Sequence, residues 1–478
     1  MSFTPESAFA LLGPEFADAV EPADFPDLKL RWWNKRWANE IGLNDLTSEQ
    51  IADHFGRFDR PEGYPHSPLA MRYHGHQFRH YNPQIGDGRG FLYAQMRDPK
   101  GRLLDFGTKG SGQTPWSRTG DGRLTLKGAA REILAAEMLE ALGVYSSKAF
   151  CVIETGDQLA RHDEPSPARG AVLTRLQHSH VRFGSFQRHA YEEAPDRIDA
   201  LIDHAIASYY PDLAQYTGAE KTAQFLARVC AASARLAAQW MAAGFVHGVL
   251  NTDNLNVTGE SFDYGPWRFL PTYKPGFTAA YFDENGLYAY ARQPEAVFWA
   301  LQQLAVALLP VGEKDQLVDV LNTFPDIYTR EMTGAFCARL GVAVQDNSED
   351  MVKAFLAFLL ASQLPFEAVF FDHFTNNAER IKSSSRDYSG PEYRTFADLF
   401  DTHSAIRESR LDHPYFARTN PVHITIEVME AAFAPIHESD DWSTLHGLLD
   451  DIAQARAGYD LGRDRTGFLP EEGKTWSS

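Results

Sequence analysis

Two glycine-dense quartets, Gly86-Asp87-Gly88-Arg89 and Gly120-Asp121-Gly122-Arg123, fall within 40 residues of one another. Each pairs bare backbone, able to approach a phosphate closely, with a guanidinium able to neutralise it. The first quartet equally suits a hairpin turn, because Asp-Gly is a hairpin signal in its own right. Between them, Thr108-Lys109-Gly110-Ser111-Gly112 puts a lysine at the end of a β-like run; its order and spacing are not those of a Walker A loop. Lys109 precedes Glu132 by 23 residues. A strand lysine held by a glutamate on the following helix is an arrangement that grips phosphates, with Glu137 as the rival partner. Arg175 and Arg182, flanking His178-Ser179-His180, supply two further cations.

A second constellation lies downstream. His247-Gly248-Val249-Leu250-Asn251-Thr252-Asp253-Asn254 is followed nine residues later by Asp263-Tyr264-Gly265. The spacing parallels the H-R-D-x-x-x-x-N loop and D-F-G triplet of protein kinases, which puts Asn254 and Asp263 where oxygen ligands hold magnesium. Val249 stands where a kinase has its catalytic aspartate, and valine accepts no proton. Asp253 is then the nearest carboxylate able to act as a base on an incoming hydroxyl. The alternative is that Asn-Thr-Asp-Asn only forms an Asx-rich turn. His74, His76 and His80 invite a zinc reading, but no cysteine or H-E-x-x-H pattern supports it, and structural hydrogen bonding is the expectation.

Among the supporting elements, Gly90 to Met96 and Leu103 to Lys109 read as strands of a small sheet. Lys127 to Leu142 reads as one helix stopped by Gly143, and Ala171 to Leu176 as a strand. Arg31 to Trp37 suits a helix with snorkelling charges. From about Phe183 helical windows dominate: Glu220 to Ala243, 294 to 310, 350 to 372, and two more within 424 to 457. The order is a sheet-rich half, one helix, an extended connection and a helical half.

Composition narrows the function classes. With 45 Lys and Arg against 64 Asp and Glu, the 478-residue chain carries a formal charge of −19, which repels nucleic acid and anionic lipid over most of its surface. A polyanion would need a local basic cleft. The hydrophobic share of 44% supports a packed interior, and the length favours two lobes or a core with a helical appendage. Cys151, Cys230 and Cys337 match neither a disulfide framework nor a metal pattern. No basic-then-apolar leader opens the sequence and no run nears the ~20 apolar residues of a membrane span, so a cytoplasmic protein without membrane or nucleic-acid partners is expected.

The motifs together resemble the selenoprotein O family. They are Gly75-His76-Gln77-Phe78, Gln84-Ile85-Gly86-Asp87-Gly88-Arg89, the run Lys109-Gly110-Ser111-Gly112-Gln113-Thr114-Pro115-Trp116-Ser117-Arg118, Gly120-Asp121-Gly122-Arg123, Ser179-His180-Val181-Arg182-Phe183-Gly184, the His247 to Asn254 loop and Phe262-Asp263-Tyr264-Gly265-Pro266. A looser likeness extends to Asn420-Pro421. The resemblance implies an α+β, protein-kinase-like bilobal fold with a small sheet-rich N-lobe, a helical C-lobe and extra C-terminal helices. The corresponding divisions are an N-terminal extension (1–70), N-lobe (71–177), C-lobe (178–345) and C-terminal helical extension (346–478).

It implies a protein adenylyltransferase that binds ATP in a flipped orientation, transfers AMP to Ser, Thr or Tyr hydroxyls of protein substrates and releases pyrophosphate. By motif, Lys109 would contact phosphates, held by Glu132. Gly86, Gly88, Arg89, Asp121, Gly122, Arg175, Arg182 and Asp263 would line the nucleotide site. Asn254 and Asp263 would bind Mg2+, with Mn2+ as the alternative, and Asp253 would accept the proton. Transfer of UMP with manganese, γ-phosphate transfer by a protein kinase and a non-catalytic ATP-binding scaffold are the competing readings. Unlike relatives that end in a Cys or selenocysteine motif, this chain ends Gly473-Lys474-Thr475-Trp476-Ser477-Ser478 and has Thr278-Ala279-Ala280 in the loop after Asp263, so no disulfide between tail and loop is expected.

Overall fold

A computed structural model describes residues 4–60, 66–162 and 164–461; the Gly473 to Ser478 tail lies outside them. The chain forms a mixed α+β structure built on one antiparallel sheet. Its strands are β1 (Thr4–Glu6), β2 (Ala17–Ala19), β3 (Lys29–Trp33) and β4 (Leu69–Met71), a separate hairpin β5 (Gly75–Gln77) and β6 (His80–Asn82), then β7 (Leu92–Arg97), β8 (Leu103–Lys109), β9 (Leu124–Thr125), β10 (Lys148–Leu159) and β11 (Ala168–Gln177). The sheet order is β2-β4-β7-β8-β11-β10-β3, with β1 on β7 and β9 on β11. The first 70 residues therefore contribute three strands to the same sheet as the segment that follows.

Arg31 to Trp37 is not one helix. Lys29–Trp33 pairs with β10, and a short helix, Lys35–Glu40, starts only after Asn34, whose Oδ1 accepts from the Trp37 amide at 3.1 Å. The aromatic residues favour the pleated surface, and the Asn cap ends it. Gln84 to Gly90 is not a hairpin turn either, since it links β6 to β7 and these strands pair with other partners.

The helix Leu126–Ala141 is capped by Thr125, whose hydroxyl accepts from Gly128 N at 3.1 Å. Nearly every residue of this helix is buried, because it lies between the sheet and a C-terminal helical hairpin, Ile426–Ser439 and Ser443–Tyr459. Packing on both sides explains why its pattern lacks a polar face. The long helix Gly218–Ala242 anchors the helical half against Gln293–Leu308 and Phe324–Leu340. The window 350 to 372 resolves into two helices, Ser348–Ser362 and Phe366–His373, broken where Gln363 turns left-handed (φ 51°) before Pro365. Among the described residues no helix is long and apolar enough to cross a membrane.

Candidate active site

Strand register delivers the first cations. Arg175 on β11 stands opposite Gly107 on β8, and Leu173 opposite Lys109. Residues two apart share a face, so Lys109 and Arg175 emerge diagonally on one side of the sheet. Gly107 leaves room there, since a Cβ at that position would meet His180 Nε2 at 1.9 Å. His180 is fixed over the strand by Asp105, which accepts from its backbone amide at 3.0 Å and lies 3.1 Å from its ring Nδ1.

On that same face the helix Leu126–Ala141 presents Glu132, whose carboxylate pairs with Lys109 Nζ. Glu137 is committed elsewhere, accepting from Arg456 at 2.6 Å and Asn34 at 3.0 Å. Lys109 is 4% exposed and Glu132 2%. Burying such charges costs several kcal/mol per ion unless each is paired, and here the pairing extends to a third and fourth member. Asp263 Oδ1 lies 3.0 Å from Lys109 Nζ and 3.3 Å from Arg175 Nη1. Burial alone would raise the Asp263 carboxyl, but Lys109, Arg175, Arg182 and Arg89 together hold it well below the usual carboxylate range.

Asp263 adopts φ 59°, a left-handed conformation that costs roughly 1–2 kcal/mol for a residue other than glycine. The turn is held from behind by His247, whose Nε2 donates to Phe262 O at 3.0 Å while its own amide donates to Gln293 Oε1 at 2.9 Å. Arg182 pairs with Asp87 at 3.2 Å and stacks on Tyr73, 4.5 Å from the ring centroid.

The two glycine quartets meet through the loop after β8. Gly112 N donates to Gly122 O at 3.2 Å, and the hydroxyls of Thr114 and Ser117 donate to the carbonyls of Asp87 and Gly88. Gly122 has φ 70°, and a Cβ there would lie 2.2 Å from the Gly112 carbonyl carbon, so only glycine fits. Asp121 is tied to Arg161 at 2.8 Å. Arg89 and Arg118 are exposed at this rim, and neither makes an ion pair among the described residues.

The loop Asn251 to Asn254 is clamped by the β5–β6 hairpin. Thr252 Oγ1 accepts from His76 N at 2.7 Å and donates to Gln187 Oε1 at 2.6 Å, while Asn251 Oδ1 accepts from Phe78 N at 3.0 Å and Tyr288 OH at 2.9 Å. His74 and His76 serve this scaffold through Tyr81 and Gln187, each at 2.8 Å. Sequence reading did not single out Gln187, Tyr288 or Tyr73, whose roles arise only from long-range contacts. Asp253 Oδ1 is buried with no hydrogen-bond partner, and burial pushes its carboxyl up to about 7 against the pull of Arg182. Asn254 Nδ2 donates to Val249 O at 3.0 Å, which leaves its carbonyl oxygen as the atom available to a cation.

These groups surround one cleft of about 940 Å³. Gly86, Gly88, Arg89, Lys109, Asp121, Gly122, Glu132, Arg175, Arg182, Asp253 and Asp263 all line it; Asn254 sits beside it on the same loop without lining it. Ten Lys and Arg face seven Asp and Glu across its walls, a basic surface in a strongly acidic chain. Among the described residues no three His, Cys, Asp or Glu side chains form a metal cage by themselves. The oxygens of Asn254 and Asp263 fit a hard cation that takes most of its ligands from phosphate and water.

The cleft is basic and glycine-walled, with a buried Lys–Glu pair, an arrangement suited to a phosphate-bearing ligand. The chain belongs to the SelO family: residues 1–453 match the family model described as protein adenylyltransferase SelO. It is 41% identical over 470 residues to the protein nucleotidyltransferase YdiU of Trichormus variabilis, covering 94% of this chain and 95% of that one. The Synechocystis protein of the same name is 47% identical over 346 residues, 72% of each chain, and the Vibrio cholerae one 37% identical over 354 residues, 74% of this chain and 71% of that one. The protein is a nucleotidyltransferase.

Proposed function

We propose that this chain transfers AMP from ATP to Ser, Thr or Tyr hydroxyls of other proteins, using a protein-kinase-like bilobal core with the nucleotide flipped. In this reading the N-terminal extension (1–70) and the N-lobe (71–177) carry the sheet, the C-lobe (178–345) carries the Asp253 and Asp263 loops, and residues 346–478 form the helical extension. The observation that carries the proposal is Asp253 Oδ1, buried without a partner and with its carboxyl raised to about 7 beside a basic cleft. A base near neutrality suits proton removal from a hydroxyl.

The acceptor oxygen attacks the α-phosphorus in line. Its proton passes to Asp253, and the bond from the α-phosphorus to the bridging oxygen breaks, with the electron pair leaving on pyrophosphate. Lys109, Arg175 and Arg182 face the phosphates and stabilise the charge that develops there, while Arg89, Gly86, Gly88, Asp121 and Gly122 wall the remainder of the nucleotide. Glu132, through its ion pair, keeps Lys109 aimed. Magnesium held by Asn254 and Asp263 would add Lewis-acid neutralisation of the phosphate oxygens.

Transfer of the γ-phosphate is disfavoured by Val249. The test is the identity of the small product: pyrophosphate, with no ADP, supports the proposal, and stoichiometric ADP overturns it. Substituting UTP with Mn2+ for ATP with Mg2+ in the same assay separates AMP from UMP transfer.

A further inference from the structure

Arg131 immediately precedes Glu132 on the helix Leu126–Ala141 and lines the same cleft, but no step above uses it. Its Nη2 donates to Gly265 O at 3.1 Å and reaches Trp267 O at 3.5 Å, and its guanidinium lies 5.2 Å from the Trp267 ring centroid. Gly265 is two residues beyond Asp263. Consecutive residues of one helix thus hold both halves of the charge cluster: Glu132 holds Lys109, and Arg131 holds the turn that carries Asp263.

The helix is itself backed by the C-terminal hairpin. Arg131 Nη1 lies 3.3 Å from Met429 Sδ, Lys127 pairs with Glu430 at 2.7 Å and Arg456 with Glu137 at 2.6 Å. The corner of the hairpin is fixed to the sheet through Asp440, which pairs with Lys29 at 3.1 Å, Arg31 at 2.9 Å and Arg169 at 2.7 Å. Arg131 makes no ion pair with a carboxylate among the described residues, so its charge is directed at main-chain carbonyls. A planar guanidinium can donate to these carbonyls while it stacks on the ring, whereas an ammonium is a compact point charge without that fixed planar geometry.

We propose that Arg131 is a positioning residue for nucleotidyl transfer, setting the Asp263 turn against the Lys109–Glu132 pair. The proposal rests on the reading of Asp263 and Lys109 as metal and phosphate residues. Arg131→Met keeps an unbranched apolar side chain of similar reach and removes the donors; Arg131→Lys restores the charge on a compact, rotatable donor group.

The experiment compares both variants with the full-length wild type in kcat and KM for ATP, in calorimetric affinity for ATP with and without Mg2+, and in thermal midpoint. The expected result for Arg131→Met is a fall in kcat on the order of ten- to a hundredfold from a displaced turn. KM should stay within about threefold, because the phosphate-facing cations are intact. The gain in ATP affinity on adding Mg2+ should shrink, the midpoint should hold within a few degrees, and Lys should recover part of the rate. An unchanged kcat and Mg2+ dependence overturns the proposal, as does a joint loss of rate, affinity and midpoint with no recovery by Lys. If the wild type transfers no nucleotide, the underlying reading fails, and the Mg2+-dependent affinity still decides the role of Arg131.

Discussion

Replacing Asp253 by Asn separates function from stability with opposite signs. The carboxyl lies at an ordinary 3.8 in an unfolded chain and at about 7 in the fold, burial being the largest cause. A folded-state value above the unfolded one means that folding takes up a proton. The wild type therefore loses stability as pH rises from about 4 through about 7, and above that bears the whole penalty of a buried carboxylate. The spread from 3.8 to about 7 corresponds to on the order of 4 kcal/mol at roughly 1.4 kcal/mol per factor of ten. Asn keeps the shape without the charge. Asp253→Asn should thus match the wild type near pH 4 and exceed it increasingly up to about pH 8, in denaturant unfolding of the nucleotide-free protein. The same variant should lose about 10²- to 10⁴-fold in transfer rate, as expected for a general base. Wild-type rate should climb with pH through about 7, since at pH 6 only about a tenth of Asp253 is in the base form. A stability difference that does not grow with pH, or transfer by the variant at nearly the wild-type rate, would contradict this role of Asp253.

Other consequences are as direct. Lys109→Ala leaves Glu132 buried and uncompensated, so it should abolish transfer and also destabilise by about 3–5 kcal/mol; unfolding curves overlying the wild type would contradict the pairing. Gly107→Ala should displace His180, lowering the thermal midpoint and ATP affinity together, which calorimetry can read. The three cysteines are buried and free, and transfer should be indifferent to dithiothreitol; a several-fold stimulation would sink that expectation.

Local signals made much of the cleft legible. Strand β8 and the Glu132 helix follow from β-like runs, helix formers and a stop glycine, and repeated Gly-Asp-Gly-Arg quartets announced phosphate-compatible turns within an acidic chain. What sequence left open needed three-dimensional partners. The choice between Glu132 and Glu137 turns on Arg456, more than 300 residues away, which occupies Glu137. How deeply Lys109 is buried has no local signal, because Glu132 and Asp263 close over it only in the folded chain. β10, a long strand, carries no clear alternation, since most of its residues are buried on both faces. Arg131 has no local signature at all, as its partners lie on another turn and on the C-terminal hairpin.

AMP transfer is tested most directly by incubating the purified protein, magnesium and candidate protein acceptors with either α- or γ-labelled ATP, alongside Asp263→Ala. Protein-bound label from the α-position only, absent in the variant, is the predicted result. Label from the γ-position would make the protein a kinase served by Asp253, and no label from either position, with any acceptor including the protein itself, would contradict catalysis in favour of a nucleotide-binding scaffold.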